Sequence, residues 1–186
     1  MGTPAVRRLT SDVVVDRRTP ATHAVGVALR AGGGINMGLW PRSEIEEAFT
    51  EYQRRAEASG SSGDWRPWTD LFTEDAEYIE HLYGKMQGRQ VIYEWIQKTM
   101  SEYPGSDMPE FPIEWYSIDE DKGWVICQVW NRMRDPGDAS IHQEYNITIL
   151  KYAGNGLWSS EEDIYNPMHF GTMLQAWESA RDAAAS

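Results

Sequence analysis

The sequence predicts an α+β domain with helices first and a mainly antiparallel sheet after them. Two helix-period stretches and one short helical segment precede three long, aromatic, strand-like runs. Those runs are separated by turn signals, at 119–123 and at Asp135, Pro136, Gly137 and Asp138. The segment Ala153, Gly154, Asn155, Gly156 is a strong hairpin signal before one more strand. Helices ahead of the main sheet, instead of helices alternating with strands, point to α+β.

The predicted domain runs from 41 to 184. Residues 41–58 read as a helix, with Ser43 as N-cap and Glu46 closing a capping box. Ile45, Ala48, Phe49, Tyr52 and Ala56 share one face. The Ser59–Gly63 run is expected to end it. Asp64 is expected to cap a short helix over 65–72 that carries Trp65, Trp68 and Phe72. A tight joint at Glu74 and Asp75 leads to a first strand over 75–83. Gly84 and Gly88 bracket a turn, and 89–103 is a third helix with Ile92, Trp95, Ile96, Thr99 and Met100 on one face. Strands follow over 113–119, 124–134, 141–152 and 157–165, and 169–184 closes the chain as a helix.

Residues 1–40 have a different composition. They hold five Arg and two Asp, a local charge of +3 against −15 for the rest. They read as a flexible basic leader, and Met37 is an alternative start. The whole chain of 186 residues carries −12 and contains nine Trp, nine Tyr and four Phe. That charge argues against nucleic acid or an anionic membrane as partner, since both need basic patches. The rings pack a core or line a pocket for an apolar ligand. Cys127 is the lone cysteine, in an apolar run, so it offers no disulfide and no zinc spacing. It reads as a buried thiol in a reduced, cytoplasmic protein. No metal and no cofactor is expected, because no His or Cys cluster and no phosphate-cradling glycine loop is found in the domain.

Three motifs carry a family resemblance over about 42–175. They are Gly63, Asp64, Trp65, Trp68, Leu71, Phe72, Asp75 and Ala76; Tyr83, Gly84, Gly88, Arg89 and Ile92; and Asn155 to Trp158 leading to Asp163, Tyr165, Asn166 and Pro167. In this order the chain resembles the nuclear transport factor 2-like superfamily, and within it the SnoaL-like polyketide cyclase and ketosteroid isomerase branch. The resemblance implies a cone-shaped α+β barrel, a curved sheet wrapped around the three helices with an internal pocket.

It also implies site positions. The isomerases' base position, shortly before the turn glycine, falls on His81, and their oxyanion position on Thr148. The cyclases' acid/base position falls on Asp163, with Glu161 of the same strand parity as a possible partner. Two carboxylates in one apolar cavity raise one pKa, a usual route to a general acid. Strand parity then puts Ile79, Tyr83, Asn146, Thr148 and Tyr165 on the pocket wall, with Trp68 and Trp95 from the helices. The competing readings stay open: His81 as a surface histidine, Asp163 as a turn cap or a partner of Arg132 or Arg134, Glu161 at a solvated edge. The polar stripe His142, Glu144, Asn146, Thr148 faces either the cavity or solvent. The set Asp-Arg-Asp of the epoxide hydrolases is not found, and Gly60 and Ser61 stand where the dehydratases carry Tyr-Asp.

Two function classes follow. One is a cofactor-free isomerase, cyclase or dehydratase acting on an apolar carbonyl compound. The other is a non-catalytic ligand-binding or dimerisation module, including a structural β subunit of a ring-hydroxylating dioxygenase. A homodimer is expected in either case.

Overall fold

The computed structural model describes residues 38–186. The leader expectation and the alternative start at Met37 fall outside the described residues, except for 38–40. Trp40 already packs on the domain, edge-on to Tyr152 at 5.3 Å between ring centres.

The elements are α1 (Arg42–Ser62), α2 (Arg66–Thr69), β1 (Phe72–Glu80), β2 (Gly84–Gln87), α3 (Arg89–Ser101), β3 (Ile113–Asp119), β4 (Trp124–Arg132), β5 (Gln143–Gly154), β6 (Leu157–Ile164) and α4 (Pro167–Ala184). The six strands form one curved, open sheet in the order β2-β1-β6-β5-β4-β3. All pairings are antiparallel except β1 with β6. The α+β prediction holds, with the helices on the inner face.

Helix α1 runs four residues past the expected stop. Gly60 does not break it, because the glycine serves a close approach: a Cβ there would lie 2.1 Å from the Pro109 carbonyl oxygen. The helix ends at Gly63, whose left-handed φ of 77° suits a residue without Cβ and lets its N–H donate to the Ser59 carbonyl at 2.8 Å. At the other end the capping box does not form. Pro41 takes the N-cap position, Glu46 pairs with Arg42, and Glu44 accepts from the Tyr152 hydroxyl. Asp64 does accept the Arg66 N–H at 3.0 Å, ahead of a shorter α2 than expected.

The predicted face of α1 is the buried one: Ile45, Phe49, Tyr52 and Ala56 enter a core with Trp65, Trp68, Phe72, Val125, Leu150 and Trp158. Trp68 meets Phe72 at 5.0 Å and Trp65 at 5.5 Å, edge-to-face. Truncating a ring such as Phe49 to Ala would cost about 3–5 kcal/mol.

Strand β1 starts earlier and stops earlier than expected. Its end is set by Glu80, whose Oε2 accepts the N–H groups of Leu82 and Tyr83 at 2.7 and 2.6 Å and turns the chain. The stretch after Gly84, expected as turn, is instead the edge strand β2, hydrogen-bonded back onto β1. Cys127 is fully buried, and burial with the nearby Glu161 and Asp163 charges raises its thiol pKa far above the ordinary value.

Candidate functional site

The inner side of the sheet and the helices enclose a cavity of about 570 Å³. Its strand-borne lining comes from one parity per strand. Tyr78 and Glu80 come from β1, Val129 and Asn131 from β4, Asn146 and Thr148 from β5, Glu161 and Asp163 from β6. Because β1 and β6 are parallel and in register here, Tyr78 stands opposite Glu161 and Glu80 opposite Asp163. Polar groups therefore converge where neighbouring strands bring them side by side.

Glu161 is 2 % exposed. Its Oε1 accepts the Tyr52 hydroxyl at 2.8 Å and lies 3.1 Å from the Tyr78 hydroxyl, and its Oε2 is buried without a partner. Burial, then the neighbouring Asp163 charge, push its pKa well above the carboxylate range. Asp163 is held differently. Its Oδ2 accepts the Tyr78 hydroxyl. Its Oδ1 accepts the Thr148 hydroxyl at 2.5 Å and the Asn146 amide at 2.6 Å. Burial raises the Asp163 pKa, these bonds pull it back, and it settles at about 6. Of the two, Glu161 is thus the carboxyl held toward its protonated form and Asp163 the one more readily ionised.

A polar relay fixes Asp163 from behind. The Asn131 amide donates to Asn146 Oδ1 at 2.7 Å, which leaves both Asn146 N–H atoms for Thr148 and Asp163. Burial, Glu161 and Asp163 likewise raise the pKa of Tyr52 and Tyr78, so both stay neutral donors. Burial and the neighbouring Glu80 carboxyl raise the pKa of Tyr165 too. Aromatic rings close the wall: Tyr78 meets Trp95 at 5.0 Å, and Tyr83 meets Trp95 at 5.9 Å.

Of the residues the sequence offers, Glu161, Asp163, Asn146, Thr148, Tyr83, Tyr165, Trp68 and Trp95 line this cavity. The structure does not bring His81 or Ile79 there. His81 lies beyond the end of β1, 46 % exposed at its side chain, with Nε2 2.9 Å from Glu162 Oε1. Ile79 is on the outer parity of β1. Both are one residue out of phase: Ala76, Tyr78 and Glu80 are the buried positions, and the inward carboxylate is Glu80. Past the irregularity before Glu77, the apolar Ala76 and Tyr78 share the parity of Glu80.

Tyr78 is a ring the sequence offers as a pocket former, whereas nothing in the sequence marks Tyr52, Glu80 and Asn131 as site residues. His142 lies near the surface, bonded to the Ser140 hydroxyl at 2.9 Å. Arg132 and Arg134 pair with Glu110 and Asp107, not with Asp163. Among the described residues no group of three His, Cys, Asp or Glu has metal-binding geometry, and no helix is long and apolar enough to cross a membrane.

No family model and no curated protein matches the chain. Solved structures do. A candidate isomerase from Bacillus subtilis is 17% identical, with a TM-score of 0.56 over 70% of this chain and 95% of its own. A nuclear transport factor 2-like protein from Anabaena variabilis is 11% identical, with a TM-score of 0.53 over 69% and 96%. A candidate SnoaL-like polyketide cyclase from Shewanella denitrificans is 16% identical, with a TM-score of 0.52 over 71% and 97%. At these identities the likeness is one of architecture, and with the open curved sheet around the helices it is enough to conclude that the chain has the nuclear transport factor 2-like fold.

Proposed function

We propose that this chain is a small-molecule enzyme that moves protons on an apolar carbonyl compound with its own carboxyl groups. The observation that carries the reading is the Tyr78 hydroxyl set between Glu161 and Asp163 on the cavity wall. Two carboxyl groups whose surroundings drive their pKa values apart give an acid and a base in one site. Asp163 takes a proton from the carbon beside the substrate carbonyl. Neutral Glu161 donates a hydrogen bond to the oxygen as it gains charge, while the Tyr52 and Tyr78 hydroxyls hold the two carboxyl groups in place. Returning the proton elsewhere is isomerisation, attack on a second carbonyl is cyclisation, and loss of a β-hydroxyl is dehydration.

The test is deuterium exchange at the α-carbon of a panel of cyclic and aryl ketones in D2O, followed by proton NMR. Exchange by the wild type that is lost in Asp163→Asn and weakened in Glu161→Gln supports the reading. Exchange unchanged in both variants overturns it.

A second reading, a homodimer interface, is favoured by the outer face of the sheet. Trp115, Tyr145 and Ile164 are each at least 40% exposed there, and Trp130 packs edge-on to Tyr145 at 5.7 Å. Light scattering on the native chain tests it, with a monomer at micromolar concentration as the contrary result. The two readings are compatible.

A further inference from the structure

Four acidic residues are among the described residues that line the cavity: Glu80, Glu102, Glu161 and Asp163. The only cationic lining residue among them is Lys98, which is exposed on α3. At depth, no ammonium or guanidinium among the described lining residues offsets Glu80 and Asp163. Hydrogen bonds from Thr148, Asn146 and Tyr78 orient the Asp163 charge but do not cancel it, because all three donors are neutral.

The wall beside these carboxylates is aromatic. Tyr78, Trp95 and Tyr83 form a continuous run of rings, and ring faces carry negative quadrupole potential. Glu161, 2 % exposed, also keeps an unpartnered Oε2 in this wall. Carboxylate charge and ring faces thus act with the same sign on whatever fills the space. An anionic ligand is repelled. A neutral ligand leaves the charge unbalanced in a largely apolar cavity. A cation satisfies both elements at once.

We propose that the cavity takes a ligand with a positively charged nitrogen, an amine or quaternary ammonium, on an apolar body. The nitrogen sits between the Trp95 and Tyr83 rings and the carboxylates of Asp163 and Glu80, and the apolar body extends toward Met108, Phe111 and Leu174. The inference rests on the same cavity being the ligand site, but not on that site being catalytic.

The test uses three soluble probes that share one branched apolar end: choline, its neutral carbon isostere 3,3-dimethylbutan-1-ol, and the anion 3,3-dimethylbutanoate. Each is titrated into the full chain and followed by the indole N–H resonances in NMR. Choline is expected to bind about tenfold more tightly than the alcohol, with the Trp95 indole among the shifted resonances, and the anion least of all. Asp163→Asn should cut the choline preference below about threefold, and Glu80→Gln serves the same purpose should the first variant fail to fold.

Equal or tighter binding of the alcohol overturns the inference, as does absence of choline binding at millimolar concentration. A preference that survives both variants belongs to the charge of the surface and overturns it as well. Ketone deuterium exchange reads the other claim separately. Exchange without a cation preference sinks only this inference, and a cation preference without exchange sinks only the acid–base reading.

Discussion

Tyr78 and Glu161 face each other across the one parallel strand pair of the sheet, hydroxyl to carboxyl at 3.1 Å, and the same hydroxyl bonds Asp163 two residues further along β6. One tyrosine therefore couples two carboxyl groups, one held toward its protonated form and the other more readily ionised. The arrangement depends on register: a single-residue slip between β1 and β6 would replace Tyr78 by Glu77 or Ile79 and dissolve the site.

Activity that uses Asp163 as base should rise with pH through about 6 and then level, since only the ionised carboxylate accepts a proton. Asp163→Asn should lower the rate by roughly 10²–10⁴-fold across the profile. A pH–rate profile of α-proton exchange checks both statements.

Stability should carry the opposite slope. In the native state Asp163 keeps its proton up to about 6, whereas the ordinary value is 3.8. Between those values the native state binds more protons than the unfolded chain, so stability falls as pH rises through the window and stays lowered above it. The contribution is roughly 1–3 kcal/mol. Urea unfolding at about pH 4 and about pH 7, for the wild type and for Asp163→Asn, should show a smaller loss in the variant, the remainder being carried by Glu161, whose raised pKa acts in the same direction.

Thr148→Val removes the hydroxyl that donates to Asp163 Oδ1 at 2.5 Å. That bond favours the ionised carboxylate, so its loss should move the Asp163 titration to higher pH, and the variant should lose about 1–2 kcal/mol of stability. Carbon-13 titration of the Asp163 carboxyl reads the shift, and unchanged titration would show that Thr148 only packs.

His81→Ala should leave turnover within about twofold of the wild type and cost no more than about 1 kcal/mol, since it removes only a partly exposed pair with Glu162. A large loss of activity would place the chemistry on the outer side of the sheet, against everything argued for the cavity.

The fold was largely legible because its signals are local. The apolar face of α1, the turn residues around 135–138 and the hairpin glycines each specify structure within a few residues. On β6 the candidate residues stand out in the sequence, since three consecutive acids, Glu161, Glu162 and Asp163, in a central strand demand an explanation. On β1 they do not. Strand parity has no local anchor where Thr73, Glu74 and Asp75 interrupt the pairing with β6, so the count back from Gly84 landed on His81 in place of Glu80. Tyr52 escaped notice for a different reason. Its place on the helix face reads as core packing, and only tertiary structure shows its hydroxyl ending on Glu161. Asn131 and its bond to Asn146 depend on the pairing of β4 with β5, which no single strand encodes.

The indole of Trp40 occupies a slot where two turns lack side chains. A Cβ at Gly123 would come within 2.5 Å of its ring, and one at Gly154 within 2.9 Å of its Nε1. The boundary of the domain is therefore drawn by a ring in a keyhole and not by the first turn of α1. Trimming the chain to residue 42 would leave the helix intact yet unlatch the β3–β4 turn from the end of β5, whereas a cut at residue 38 keeps the latch closed.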